Sequence, residues 1–286
     1  MTFRGDFTFD RAVAVVRRDG TDESRVVFDA MVNPGWDIMG NANGGYLLAI
    51  VGRALSEATG RPDCVTSTTH YLSPCPAEPV VIEVDVVRSG RRFATATAAM
   101  RLADSGREIV RTMATLGDLG NDPGGPTMMF GESPARKGAE DSVFPRFEDC
   151  LAASGSTIND FAHLHQFLGT RLDPRAARFR EGVKSGEPMM RGWFEFRDDR
   201  PIDSLALMLA ADAFPPAVFN VDLPSAWVPT VEMTVHVRAV PAPGPIACEF
   251  STRFVQNGLL EEDGVMWDSA GTLVAQSRQL ALAPRG

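Results

Sequence analysis

The stretch Trp36-Asp37-Ile38-Met39-Gly40-Asn41-Ala42-Asn43-Gly44-Gly45-Tyr46-Leu47-Leu48-Ala49-Ile50-Val51-Gly52-Arg53-Ala54-Leu55 sets the reading of the chain. Its second part predicts a helix over 43–58, ended by Thr59-Gly60-Arg61-Pro62. Four strand-like stretches follow it: Val65–Leu72, Val80–Arg88, Phe93–Leu102 and Glu108–Leu116, with turns at Ser89-Gly90 and Asp104-Ser105-Gly106. The order then recurs. Trp193 precedes a helix expected from Asp203 through Ala211, and strands are expected over Thr230–Arg238, Ile246–Val255, Gly264–Asp268 and Thr272–Leu282. A helix followed by about four antiparallel strands, occurring twice, predicts a duplicated α+β unit. Between the copies, Gly117–Gly138 is rich in Gly, Pro, Asn and Asp and reads as a crossover. Residues 140–192 are hard to read, with Phe161–Leu172 expected as the first strand of the second copy.

The 286 residues suit about two domains or one doubled fold. With 28 Lys+Arg against 37 Asp+Glu, the net charge is −9. Such a chain has no broad electrostatic footprint for nucleic acid or an anionic membrane, so a polyanionic ligand needs a local basic patch. Lysines occur only at Lys137 and Lys184. Cys64, Cys75, Cys150 and Cys248 are widely spaced, without a CxxC pair, and are expected as reduced thiols. The first ten residues carry charges where a signal peptide has an apolar core. The longest apolar runs, Tyr46–Val51 and Leu205–Ala211, fall far short of the ~20 residues of a membrane span. A cytoplasmic protein without membrane insertion is expected.

Several chemistries lack their motifs. There is no G-x-S-x-G, and Gly131-Glu132-Ser133-Pro134-Ala135 ends in the wrong residue. Neither G-x-x-x-x-G-K-[ST] nor G-x-G-x-x-G occurs. His163 and His165 would share a strand face, but no third metal ligand lies nearby. Asp212 stands out because it follows seven apolar residues, where a carboxylate is desolvated unless partnered. It is either a catalytic carboxylate or one bonded to backbone where the helix meets Pro215-Pro216. Strand alternation puts Gln279 on a small-residue face with Ala275, Ser277 and Ala281, an inward polar group that needs partners. Thr230 shares its face with Glu232, Thr234 and His236, a face that does not point obviously inward. Gly44-Gly45 admits close helix–sheet packing, or a helix N-terminus whose free N–H groups face a ligand oxygen.

Taken in succession, Trp36…Asn43-Gly44-Gly45-Tyr46-Leu47, His70-Tyr71-Leu72-Ser73-Pro74, Arg88-Ser89-Gly90-Arg91-Arg92, Ala211-Asp212-Ala213, Pro229-Thr230-Val231 and Ser277-Arg278-Gln279 resemble the bacterial type II acyl-CoA thioesterases. The resemblance implies a double hotdog of α+β class, two tandem units each with a long helix wrapped by an antiparallel sheet. The units fall at 1–117 and 161–286, with a crossover linker at 118–160. It implies hydrolysis of fatty acyl-CoA to fatty acid and CoA by a water that Asp212, Thr230 and Gln279 position. Asn43, Gly44 and Gly45 would bind substrate and stabilise the oxyanion. Arg88, Arg91 and Arg92 would meet the CoA phosphates, or else be a solvated hairpin end. No cofactor or metal is implied, acyl-CoA is the expected partner, and the chain is expected to form homo-oligomers. A non-catalytic acyl-CoA or fatty-acyl binding protein on the same fold is the alternative. A hotdog hydratase or dehydratase is less consistent, because no histidine follows Asp37 or Asp212 within a dozen residues.

Overall fold

Two helices pack against one long antiparallel sheet in the computed structural model, which describes residues 6–20, 24–121, 125–130, 144–153 and 162–284. The first half comprises α1 (Thr8–Ala12), β1 (Val15–Arg17), β2 (Arg25–Met31), the short hairpin β3 (Asp37–Ile38) and β4 (Asn41–Ala42), α2 (Gly44–Thr59), then β5 (Asp63–Tyr71), β6 (Pro79–Ser89), β7 (Ala94–Leu102) and β8 (Glu108–Gly117). The second comprises β9 (Leu151–Ala152), β10 (Arg171–Leu172), β11 (Met189–Phe194), α3 (Ser204–Ala210), β12 (Thr230–Val237), β13 (Ile246–Ser251), β14 (Val255–Gln256), β15 (Leu259–Trp267) and β16 (Leu273–Leu282).

Sheet order shows the duplication directly. The first half runs β2-β6-β7-β8-β5 and the second β12-β16-β15-β13-β11, so β5 and β12 meet at a central seam. There Thr68 pairs with Thr234, their hydroxyls 3.0 Å apart. The fold therefore has the expected architecture, with further strands joined to the sheet. The repeating unit is strand–helix–four strands, because β2 and β11 precede their helices as sheet members.

The two helices start alike. Asn43 caps α2 by accepting the Tyr46 amide at 2.9 Å, and Asp203 caps α3 by accepting that of Ala206, also at 2.9 Å. Gly60, at φ +65°, closes α2. Beyond the caps the halves diverge. Asp203 is also held by the buried Arg200 at 2.7 Å, and Arg200 reaches Asp10 of α1 at 2.8 Å.

Some expected elements shift. The expected strand Gly264–Asp268 is the end of a longer one, β15. Its start is set by Asn257-Gly258, both at positive φ, which turn β14 into β15 as a tight hairpin. The expected strand Phe161–Leu172 is replaced by a 3-10 turn over His163–Gln166, with only Arg171–Leu172 extended. Phe167 stacks on Trp36 at 4.6 Å between centroids, which draws this segment against the first half. Phe161 and most of the crossover, including residues 131–143 and 154–160, lie outside the described residues.

Candidate active site

The site forms where the end of α3 meets the start of α2. The helix expected to run through Ala211 stops at Ala210, and Asp212 sits just past it, its amide bonded to the Leu209 carbonyl at 3.1 Å. Gly45 makes this approach possible. A Cβ there would lie 2.8 Å from the carbonyl oxygens of both Leu209 and Met208. Asp212 Oδ2 accepts from the Gly45 amide at 3.1 Å and from Asn43 Nδ2 at 2.9 Å; Asn43 Nδ2 also donates to the Asp212 carbonyl at 2.7 Å. The other carboxylate oxygen, Oδ1, accepts none of these bonds. Burial pushes the Asp212 carboxyl up to about 6, while the Gly45 and Gly44 amides and the Asn43 side chain pull the other way.

This arrangement corrects one expectation. Gly45 was expected to offer its amide to a substrate oxyanion, but an amide has one hydrogen, and Asp212 takes it. Asn43 is likewise committed to its helix cap and to Asp212. The Gly44 carbonyl accepts from the Tyr71 hydroxyl at 3.0 Å.

Thr230 and Gln279 meet through an irregularity. The β12–β16 register slips between Thr230 and Glu232, so Thr230 lies opposite Ala281 and Glu232 opposite Leu280. Ala281 is on the buried face of β16, and the bulge turns Thr230 to that inner face, against simple alternation. The Thr230 hydroxyl donates to Gln279 Oε1 at 3.2 Å. Gln279 Nε2 in turn donates to Glu262 Oε1 at 3.3 Å, and Glu262 Oε2 accepts the Ala217 amide at 2.6 Å.

Glu262 escaped the sequence reading. It is 6% exposed, and burial reinforced by the negative charge of Asp212 pushes its carboxyl up to about 7. The signal was the alternation Leu260, Glu262, Gly264, Met266 beside the Asn257-Gly258 turn, which puts one member of an acidic run on the inner face.

Asn43, Gly44, Asp212, Thr230, Glu262 and Gln279 all line one cavity of about 770 Å³. Its walls are largely apolar, with Leu47, Phe214 and Phe250 among them. Arg88, Arg91 and Arg92 are not brought to it. They flank the β6–β7 turn, where the Gly90 and Arg91 carbonyls accept from Arg61, just beyond the C-terminus of α2. The site is at the opposite end of that 16-residue helix, about 24 Å away. His163 and His165 do not share a face either. His163 Nδ1 lies 2.8 Å from Asp37 Oδ2, whereas His165 is 3% exposed. No group of three or more His, Cys, Asp or Glu side chains suited to a metal occurs among the described residues.

Fold and site together define a hotdog-type α+β protein with a composite carboxylate site. Residues 32–117 match the model of the acyl-CoA thioesterase N-terminal domain, and residues 145–283 that of the acyl-CoA thioesterase C-terminal domain. The chain belongs to the acyl-CoA thioesterase family. A candidate thioesterase II from Thermobifida fusca YX superposes with a TM-score of 0.82 at 29% identity, covering 98% of each chain. A hot dog fold protein of unknown function from Alicyclobacillus acidocaldarius gives 0.79 at 21% identity, over 97% of this chain and 98% of that one. The uncharacterized protein Rv0499 of Mycobacterium tuberculosis is 25% identical over 290 residues, covering 97% of this chain and 98% of the relative.

Proposed function

We propose that this chain hydrolyses fatty acyl-CoA to free fatty acid and CoA, with Asp212 as the base. The observation that carries this reading is a carboxylate at about 6, held by one oxygen at a helix N-terminus, in the same apolar-walled cavity as the Thr230–Gln279 pair. A base near neutrality combines the right protonation state with enough basicity. Water, held by Thr230 and Gln279, attacks the thioester carbonyl carbon as its proton passes to Asp212. The tetrahedral intermediate then collapses, the C–S bond breaks, and the proton returns to the departing thiolate. The positive end of α2 faces this centre and favours the negative charge that develops there. Asn43 and Gly45 act here by fixing the base, and Glu262 by fixing Gln279. The acyl chain lies along the apolar wall of the cavity.

Release of free CoA from acyl-CoAs of several chain lengths tests the reading. Turnover in the native protein, lost in a folded Asp212→Asn variant, is expected. Tight acyl-CoA binding without turnover would instead make the chain a carrier.

A further inference from the structure

One wall of the cavity carries positive charge in a protein of net charge −9. Arg180 lines it and spends one N–H on the Ala152 carbonyl at 3.2 Å. Lys184 Nζ donates to the Phe219 carbonyl at 2.9 Å and to Ser225 Oγ at 2.6 Å, and both Phe219 and Ser225 line the cavity. Neither cation has a carboxylate within ion-pair distance among the described residues. Trp227, two residues after Ser225, lines the same wall with 41% of its surface exposed, so this wall reaches solvent. The chain needs three residues to pass from Trp227 to Thr230, a span of no more than about 11 Å. One ligand can therefore touch both the rim and the catalytic centre.

We propose that Arg180, Lys184 and Trp227 form the subsite for the nucleotide end of coenzyme A. The two cations meet its phosphates, and the indole offers a face on which adenine stacks. An arginine and a lysine with no carboxylate partner among the described residues, beside an exposed tryptophan, match a nucleotide bearing phosphates and a base. They serve no purpose for an acyl chain, and a thioester on a bare pantetheine arm would leave them unused. The subsite rests on the reading of the cavity as an acyl-CoA site. It replaces Arg88, Arg91 and Arg92, which the length of α2 keeps away.

The test compares acyl-CoA with the matching acyl-N-acetylcysteamine thioester, which has the same reacting bond but no nucleotide. In Arg180→Ala/Lys184→Ala, KM for acyl-CoA should rise about tenfold or more with kcat within twofold, because charge-assisted bonds are lost in ground and transition states alike. The kcat/KM for the nucleotide-free thioester should not follow. Calorimetric titration with CoA and with pantetheine reads the same subsite without turnover: the double variant should lose CoA affinity by a similar factor and keep its response to pantetheine, and Trp227→Ala should weaken CoA several-fold. Equal losses on both thioesters would mark a structural defect, and unchanged CoA affinity would overturn the subsite. So would a selective loss in Arg88→Ala/Arg91→Ala/Arg92→Ala. Failure of the native protein to turn over either thioester would strike the hydrolase reading alone, and the CoA titration would still decide the subsite.

Discussion

Asp212 is costly to keep charged. Its carboxyl is raised from 3.8 to about 6 in the folded chain, so the folded state binds the proton more tightly than the unfolded one. That contribution to stability is full below pH 3.8 and disappears as pH rises through about 6. Asp212→Asn should thus remain folded, gain stability at neutral pH, and lower kcat by roughly 10²–10⁴. Chemical denaturation beside a steady-state assay would check both halves of that statement. In the native protein, kcat/KM should climb with pH through about 6 and level off above it, since the base must be ionised. Glu262, at about 7, faces the same charge, so the profile reports the pair and Glu262→Gln should displace its midpoint. Glu262→Ala removes the oxygen that steadies Gln279; kcat should fall by up to about 10²-fold with KM little changed. A KM effect of the same size would indicate a collapsed cavity instead. Asp212 and Gln279 were legible because an apolar run and the small-residue face of a strand each held a larger polar group that needs partners. Thr230 was legible by position only. A bulge decides which way it points, and a bulge depends on pairing with β16, which its own strand does not encode.

The α2–α3 crossing shows what local patterns can and cannot carry. Gly45 and Gly52 lie seven apart, two turns along one face, and both are closed against α3. Gly45→Ala would drive a methyl into two backbone carbonyls that have no rotamer to escape by. The expected cost is about 1–3 kcal/mol, read as a lowered melting temperature, together with reduced kcat as Asp212 shifts. A fully active and equally stable Gly45→Ala would mean that α3 stands off more freely than its carbonyl contacts imply. Helix α2 and strands β5 to β8 were readable because apolar periodicity, caps and turns lie within each element. Strands β2 and β11, by contrast, precede their helices and are defined by partners far along the chain, β6 and β13. The 3-10 turn at His163–Gln166 is set by the docking of Phe167 on Trp36. Neither arrangement is encoded within its own segment.

At the scale of the molecule, the two copies differ at the positions that build the cavity. Counted from the two caps, Gly52 stands in α2 where Asp212 stands after α3, and Leu205 stands where Gly45 does. A Cβ at Gly52 would lie 2.8 Å from a Leu205 methyl, so an apolar side chain closes the position equivalent to the carboxylate. On β8, Ala114 pairs with Ser67 where Gln279 pairs with Met233 on β16, and no amide is supplied. The N-terminus of α3 is taken up by the Arg200–Asp203–Asp10 cluster. Calorimetric titration with a non-hydrolysable acyl-CoA analogue should therefore saturate at one equivalent per chain; two equivalents would mean that the Leu205 side can open.

The seam between β5 and β12 has a further consequence. Asn43 and Gly45 come from one half and Asp212, Thr230, Glu262 and Gln279 from the other, yet a continuous sheet on a single polypeptide joins them. Assembly of the proposed catalytic group is then a first-order event with an effective concentration fixed by the chain itself. Dilution has no way to part these residues, and under the proposed function specific activity should stay constant over a protein dilution series.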